Sequence, residues 1–372
     1  MIPSMAQDHA GRLARAGEAA GAAGLDALIV APGPDLAYLA GYDPPPLERL
    51  TALVVRPDGA PVLLVPELER PLAAASPAGS LLAIVPWRDG ADPYAALGRL
   101  LGPHAARGRF GAADRMWASH LMALQARLPE AAFTAASRVL GALRAVKDAA
   151  EVELLRSAAA AADRTFDAIR AERFAGRAER EVAAALSAHL VAFGHETVSF
   201  VIVGSGPNGA SPHHEAGDRV IEPGDAVVLD FGGRLSGYAS DITRTVAVGE
   251  PAPQVREVHA VVRAAQRAAF EAVRPGVAAG DVDRAARRVI EEAGYGRQFF
   301  HRTGHGIGLE EHEPPWIVQG NGEPLRPGMA FSIEPGVYLE GRFGVRIEDI
   351  VVVTDDGVRS LNEAPRDLTV VS

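Results

Sequence analysis

Val227-Val-Leu-Asp230-Phe-Gly-Gly233 and, eleven residues beyond its aspartate, Asp241-Ile-Thr-Arg-Thr245 decide the reading of this chain. The first stretch is an apolar strand ending in a carboxylate beside glycines. The Gly-Gly-Arg-Leu-Ser-Gly segment between them folds the two strands antiparallel and brings the carboxylates together. The arrangement recurs downstream. Glu334, in Phe-Ser-Ile-Glu-Pro-Gly-Val-Tyr, and Glu348, in Gly-Val-Arg-Ile-Glu-Asp, lie fourteen residues apart across a glycine-containing turn. Between the two sets stands His305, in Thr-Gly-His-Gly-Ile-Gly, whose small neighbours admit a crowded site.

Working outward, each carboxylate pair follows two helical patterns. Apolar residues at three- and four-residue spacing predict helices over about 148–173 and 177–194. Strands follow over 198–203, 226–231 and 238–248. A second helix pair, about 253–274 and 279–294, precedes strands over 329–338 and 345–353. The repeat predicts an α+β domain, residues 143–372, built of two similar halves that close on a site between them. The first third, residues 1–142, reads as a small α/β domain. It predicts a helix over about 5–22 and strands over 26–30, 53–55, 62–65, 81–85 and 109–112, with helices near 91–101 and 117–127. Arg56-Pro-Asp-Gly59 marks a hairpin turn. No catalytic constellation stands out in it.

Composition narrows the chemistry. The 372 residues contain no cysteine, which excludes disulfides, thiol nucleophiles and Cys-ligated metals. Lys147 is the one lysine beside 36 arginines, and no glycine-rich phosphate loop surrounds it. A net charge of −10 argues against nucleic acid or an anionic membrane as partner. No apolar run approaches the ~18 residues of a membrane span, and the opening Met-Ile-Pro-Ser-Met-Ala-Gln-Asp-His has no signal-peptide pattern. A cytoplasmic location is expected. Gly204-Ser-Gly-Pro-Asn-Gly209 has dinucleotide-loop spacing, but Pro207 and Ser-Pro-His-His open no helix for a pyrophosphate. Asp230-Phe-Gly matches a kinase metal motif without the accompanying His-Arg-Asp.

Four converging carboxylates cannot remain bare. Two like charges ~4 Å apart repel by roughly 4 kcal/mol at an effective dielectric near 20. Two divalent cations balance the four charges, and carboxylate pairs with one histidine suit a dinuclear centre. Oxygen-rich ligation favours Mn²⁺, with Co²⁺, Fe²⁺ or Zn²⁺ also compatible.

On these motifs the second domain resembles the pita-bread metallopeptidase family, which includes methionine aminopeptidases, Xaa-Pro aminopeptidases and prolidases. The first domain resembles the accessory domain of prolidases, Xaa-Pro aminopeptidases and creatinases. The resemblance implies a homodimer with a dinuclear centre held by Asp230, Asp241, His305, Glu334 and Glu348. It implies hydrolysis by a metal-bridged hydroxide with Glu334 as general base. His213, in Ser-Pro-His-His, and His312, in Leu-Glu-Glu-His-Glu-Pro-Pro, fall on the family's active-site histidines and would stabilise the transition state. Arg346 matches an arginine that orients the carboxylates, with Tyr338 and Tyr238 as weaker supporting candidates.

All five ligand positions are kept, unlike in creatinases, and the accessory domain separates the chain from methionine aminopeptidases. The live contest is between Xaa-Pro dipeptidase and Xaa-Pro aminopeptidase. A chain more compact than typical Xaa-Pro aminopeptidases makes an Xaa-Pro dipeptide the expected substrate, the alternative being a longer peptide cut by an Xaa-Pro aminopeptidase. A dipeptidase must hold a free carboxylate, best with an arginine fork. In some longer prolidases that cation follows the second histidine, but 314–325 here has neither Lys nor Arg. Arg49 is the candidate substitute, and Asp35 the candidate for the substrate ammonium, both acting across a dimer.

Overall fold

The computed structural model describes residues 8–372. Two compact units divide the chain, one ending at Arg144 and the other spanning Ala145–Ser372. In the first, six short strands form a sheet in the order Ala83–Trp87, Val62–Pro66, Ala52–Val55, Ala27–Val30, Arg109–Ala112, Ala132–Ala135. The central strand Ala27-Leu-Ile-Val30 is buried throughout, as expected where helices cover both faces. Arg56-Pro-Asp-Gly59 does close a hairpin, with Ala52 opposite Leu64. The first helix is described as His9–Ala22, capped by Asp8; residues 5–7 of the expected helix lie outside the described residues. A helix at Pro34–Ala40 and the strand Ala132–Ala135 were not expected, because each spans only a turn or two and carries little periodicity.

The second unit begins with α1 (Ala149–Ile169), whose Asp148 and Glu151 form a reciprocal capping box, and α2 (Glu179–Ala192). The strands β1 (Thr197–Ser205), β2 (Ala226–Leu235) and β3 (Ile242–Val248) follow. The second half repeats the order with α3 (Pro253–Ala272) and α4 (Ala279–Glu292). Its strands are β4 (Gly304–Gly306), β5 (Glu313–Ile317), β6 (Ala330–Ile333), β7 (Gly336–Leu339), β8 (Phe343–Arg346) and β9 (Asp349–Val353). Buried Val255, Val258, Val262, Ala265 and Ala269 make the three-four stripe that seats α3 on its sheet. Each buried aliphatic side chain of this stripe larger than alanine contributes about 1.5–3 kcal/mol.

β1, β2 and β3 form one antiparallel sheet, and β5, β4, β6 and β9 another. Ser236 (φ 54°) and Gly237 (φ 81°) make the tight turn between β2 and Tyr238–Ala239. The halves are stitched by a bridge between Thr243 and Glu348 and by Arg244. That buried guanidinium donates to the Glu348 carbonyl at 2.5 Å and to Asp349 Oδ1 at 2.7 Å.

Three predicted strands are interrupted. The run over 238–248 breaks at Ser240-Asp241, that over 329–338 at Glu334-Pro335, and that over 345–353 at Ile347-Glu348. Hydrophobic patterning carries through these points because the residues are buried, while the backbone leaves the ladder to re-aim one side chain. Among the described residues, no helix is long and apolar enough to cross a membrane.

Candidate metal centre

The interruptions are where the acids point. Asp230, on the continuous β2, sits opposite Thr243 of β3, and Asp241 immediately precedes that strand. Glu334 follows β6 and Glu348 lies between β8 and β9. His305 is the middle residue of β4, and the flanking glycines are required by contact. A Cβ at Gly304 would collide with the Ser332 carbonyl, and one at Gly306 with the Pro314 carbonyl.

Ligand-type atoms of Asp230, Asp241 and Glu348 lie within 4.8 Å of one another, as do those of His305, Glu334 and Glu348 and those of Asp241, His305 and His312. His305 Nε2 is 3.2 Å from Glu334 Oε1 and 3.7 Å from Asp241 Oδ2. Asp230 Oδ1, Asp241 Oδ1 and Glu348 Oε1 are buried without any hydrogen-bond partner among the described residues. Buried oxygens are not left so without cost. Orphaned oxygens on three carboxylates whose ligand-type atoms lie this close fit bound divalent cations.

Burial and mutual repulsion push the Asp241 and Glu348 carboxyls well above their usual range, and burial raises Asp230 as well. Burial also works against an ionised Glu334, but its hydrogen bond to His305 and the nearby positive charge hold it down to about 2. A buried cluster of this kind favours protons or cations over bare charge. Cations would replace those protons.

Behind the acids lies an arginine clamp. Arg346 donates to Asp230 Oδ2 at 2.5 Å, to the Tyr338 hydroxyl at 2.7 Å and to Thr243 Oγ1 at 3.2 Å, while Thr243 Oγ1 donates to Glu348 Oε2 at 2.7 Å. The Tyr338 hydroxyl is 3.0 Å from His301 Nε2. Burial lifts the Tyr338 phenol to about 12, so it stays protonated.

A cavity of about 960 Å³ opens onto the cluster, lined by His213, His312, Phe200, Phe300, His301 and Arg302 among others. His312 packs edge-on against His305, with ring centroids 4.0 Å apart. Desolvation, with a further lowering by neighbouring His305 and Arg302, brings His312 down to about 4, so it is neutral near pH 7. A five-residue 3-10 helix, Gly206–Ala210, precedes His213, and no α-helix opens there. Its loop is fixed by buried Glu179, which accepts from Ser205, Asn208, His214 and Gly217.

The structure thus gathers Asp230, Asp241, His305, Glu334, Glu348, His213, His312, Arg346 and Tyr338 around one cavity. The other three expected residues have partners of their own. Tyr238 is wholly buried and donates to Glu151 Oε1 at 2.8 Å, a tie to the start of α1 rather than to the cavity. Asp35 and Arg49 belong to the first unit, where Asp35 pairs with Arg144 at 2.8 Å and Arg49 forks onto Asp89 and meets Glu48. Sequence reasoning missed Thr243, Glu179, Arg302 and the aromatic wall of Phe200 and Phe300. Arg302 stood three residues before His305, adjoining the decisive motif, and was the one that spacing could have suggested.

The family model for metallopeptidase family M24 matches residues 153–355, and that for the creatinase/prolidase N-terminal domain matches 12–146. A probable dipeptidase PepE of Mycobacterium bovis is 49% identical over 98% of this chain and 97% of its own length. An Xaa-Pro dipeptidase of Lactobacillus delbrueckii is 36% identical over 94% of this chain and 95% of its own. The crystal structure of dipeptidase PepE from Mycobacterium ulcerans superposes with a TM-score of 0.94 at 49% identity, covering 98% of both chains.

Proposed function

The chain belongs to metallopeptidase family M24, with a creatinase-type first domain and a pita-bread second domain, and from that premise we propose that it hydrolyses the Xaa-Pro bond of dipeptides. As a family member it is a metal-dependent peptidase acting on peptides. The observation that carries the reading is the set of orphaned buried oxygens of Asp230, Asp241 and Glu348, gathered with His305 and Glu334 at the floor of a peptide-sized cavity. Likeness over nearly the whole chain to proteins named as dipeptidases supports the short substrate.

Asp230, Asp241, His305, Glu334 and Glu348 would hold two divalent ions, Mn²⁺ by the donor set. Such ions, when bound, make water a stronger acid and polarise a carbonyl. The protein's own groups do the rest. Glu334 has the most exposed of the carboxylates paired at the cluster, 16% against 11% for Asp230 and 5% for Asp241, and is placed to accept a proton and pass it to the leaving nitrogen. Neutral His312 can donate its ring N–H to negative charge developing on the scissile carbonyl, and His213 faces the same cavity for the same task. Arg346, locked by Tyr338 and Thr243, opposes the effect of burial at Asp230 and keeps that carboxylate aimed. The reading carries a homodimer and a cytoplasmic location with it.

The test is hydrolysis by Mn²⁺-loaded protein of an Xaa-Pro dipeptide beside the same sequence lengthened by one residue. Preference for the dipeptide is expected. Preference for the longer peptide makes the chain an Xaa-Pro aminopeptidase, and silence on both, at two bound metals per chain, overturns the substrate.

A further inference from the structure

A dipeptide ends in a carboxylate at the residue after the scissile bond, and such a substrate needs a cation at that end of the cavity. Two arginines line the cavity, Arg302 and Arg346. Arg346 is spent, with donors committed to Asp230, Tyr338, Thr243 and the Pro212 carbonyl. Arg302 differs in every respect. Its guanidinium carbon sits over the Trp316 ring, 4.5 Å from the centroid, and the guanidinium makes no hydrogen bond or ion pair with any described residue. It is half-buried, and that desolvation weakens its hold on its proton. An arginine so placed, on an aromatic face with its fork free, is an unfilled carboxylate receptor.

Its position is built rather than accidental. The next residue, Thr303, donates its backbone N–H and its hydroxyl to buried Asp283 at 3.1 and 2.8 Å, and its N–H also reaches the Ile317 carbonyl. Trp316 is held opposite His305 in the β4–β5 ladder. The same two strands therefore set the receptor's distance from the metal cluster. Arg302 lines the same cavity as His312 and Glu334, which brings its charge to the reacting end. Arg49, by contrast, already holds the Asp89 and Glu48 carboxylates.

Resting on the Xaa-Pro reading above, we propose that Arg302, stacked on Trp316, receives the C-terminal carboxylate of the substrate and makes the enzyme select dipeptides. The cation that 314–325 lacks is supplied from the other side of the ladder, and Trp316 is its platform.

The experiment compares Ala-Pro with Ala-Pro-amide on Mn²⁺-loaded wild type, Arg302→Met, Arg302→Lys and Trp316→Leu. Calorimetric binding of proline and prolinamide to the same proteins runs in parallel. The acid-over-amide ratio of kcat/KM is expected to fall about 10- to 100-fold in Arg302→Met, the worth of one charge-assisted pair. The loss should sit in KM for the acid and be matched in proline binding. Arg302→Lys recovers part of the ratio, and Trp316→Leu loses part of it. An unchanged ratio in both turnover and binding overturns the receptor while leaving the peptidase reading intact. If wild type cleaves neither substrate yet binds proline over prolinamide through Arg302, the receptor stands and the proposed reaction falls.

Discussion

The two halves of the second unit share a plan and divide the labour. In each, an acid near the start of the second helix is buried and fixes a loop carrying a cavity histidine. Glu179 of α2 holds the segment from Ser205 to Gly217, around His213. Asp283 of α4 holds Thr303 and takes a fork from Arg287, just before His305. The halves differ in what they send into the cavity. The first sends short aspartates, Asp230 within a continuous ladder and Asp241 at its edge. The second sends longer glutamates from breaks between its strands, His305 from the short β4, and Arg302 and His312 from the segments flanking it. Side chains on an unbroken ladder are fixed by neighbours on both sides, which suits ligands that must not move. Side chains at breaks can lean toward a substrate. On the proposed reading the first half would be a cradle, and the second would supply most of the groups that meet the substrate.

That division can be broken by paired substitutions. Glu334→Gln should lower kcat by roughly 10²–10⁴-fold, the range for loss of a general base, while the fold persists. Its counterpart Asp230→Asn should act chiefly by lowering bound Mn²⁺, measured by elemental analysis of desalted protein. Equal metal loss in both would erase the distinction. Next in size, His312→Ala should reduce kcat by about 10²–10³-fold with little change in KM, as for removal of a donor to developing charge. A comparable effect of His213→Ala would show the two halves contributing evenly to that step.

The anchors should give smaller effects. Glu179→Gln and Asp283→Asn each disturb a buried, multiply bonded carboxylate, and each should cost about 3 kcal/mol in denaturant unfolding. If the plan is shared, the two values agree within about 1 kcal/mol. The smallest effect concerns the helices. His259 of α3 is buried, and burial with its neighbours Arg263 and Arg244 lowers it to about 4. Its folded pKa lies below its unfolded value of about 6.5, so the unfolded chain takes up the proton first. The stability it confers is complete above that value and is lost as pH falls toward 4, amounting to at most about 3 kcal/mol. His259→Leu should flatten that part of a plot of unfolding free energy against pH.

Much of the site was legible in sequence because its signals are local. The Asp230–Asp241 spacing implied a hairpin, and Ser236-Gly237 makes one. The alternation of helix pairs and strands announced two halves, since apolar periodicity survives in a single chain. The breaks at Asp241, Glu334 and Glu348 were not legible, because burial there keeps the residues apolar on both sides of the interruption.

By itself the sequence pointed to the doubled half through its order of helices and strands, and to the acids and histidines through motifs within some fifteen residues. Only the tertiary structure decided which charges remain free. Arg49 meets its acid 40 positions away, Asp35 its arginine 109 away, and Tyr238 its glutamate 87 away. No spacing rule reaches so far. Arg302, close in sequence to His305, found an aromatic ring instead of an acid. A charge's role depends on what is folded against it, and that is a property of three dimensions.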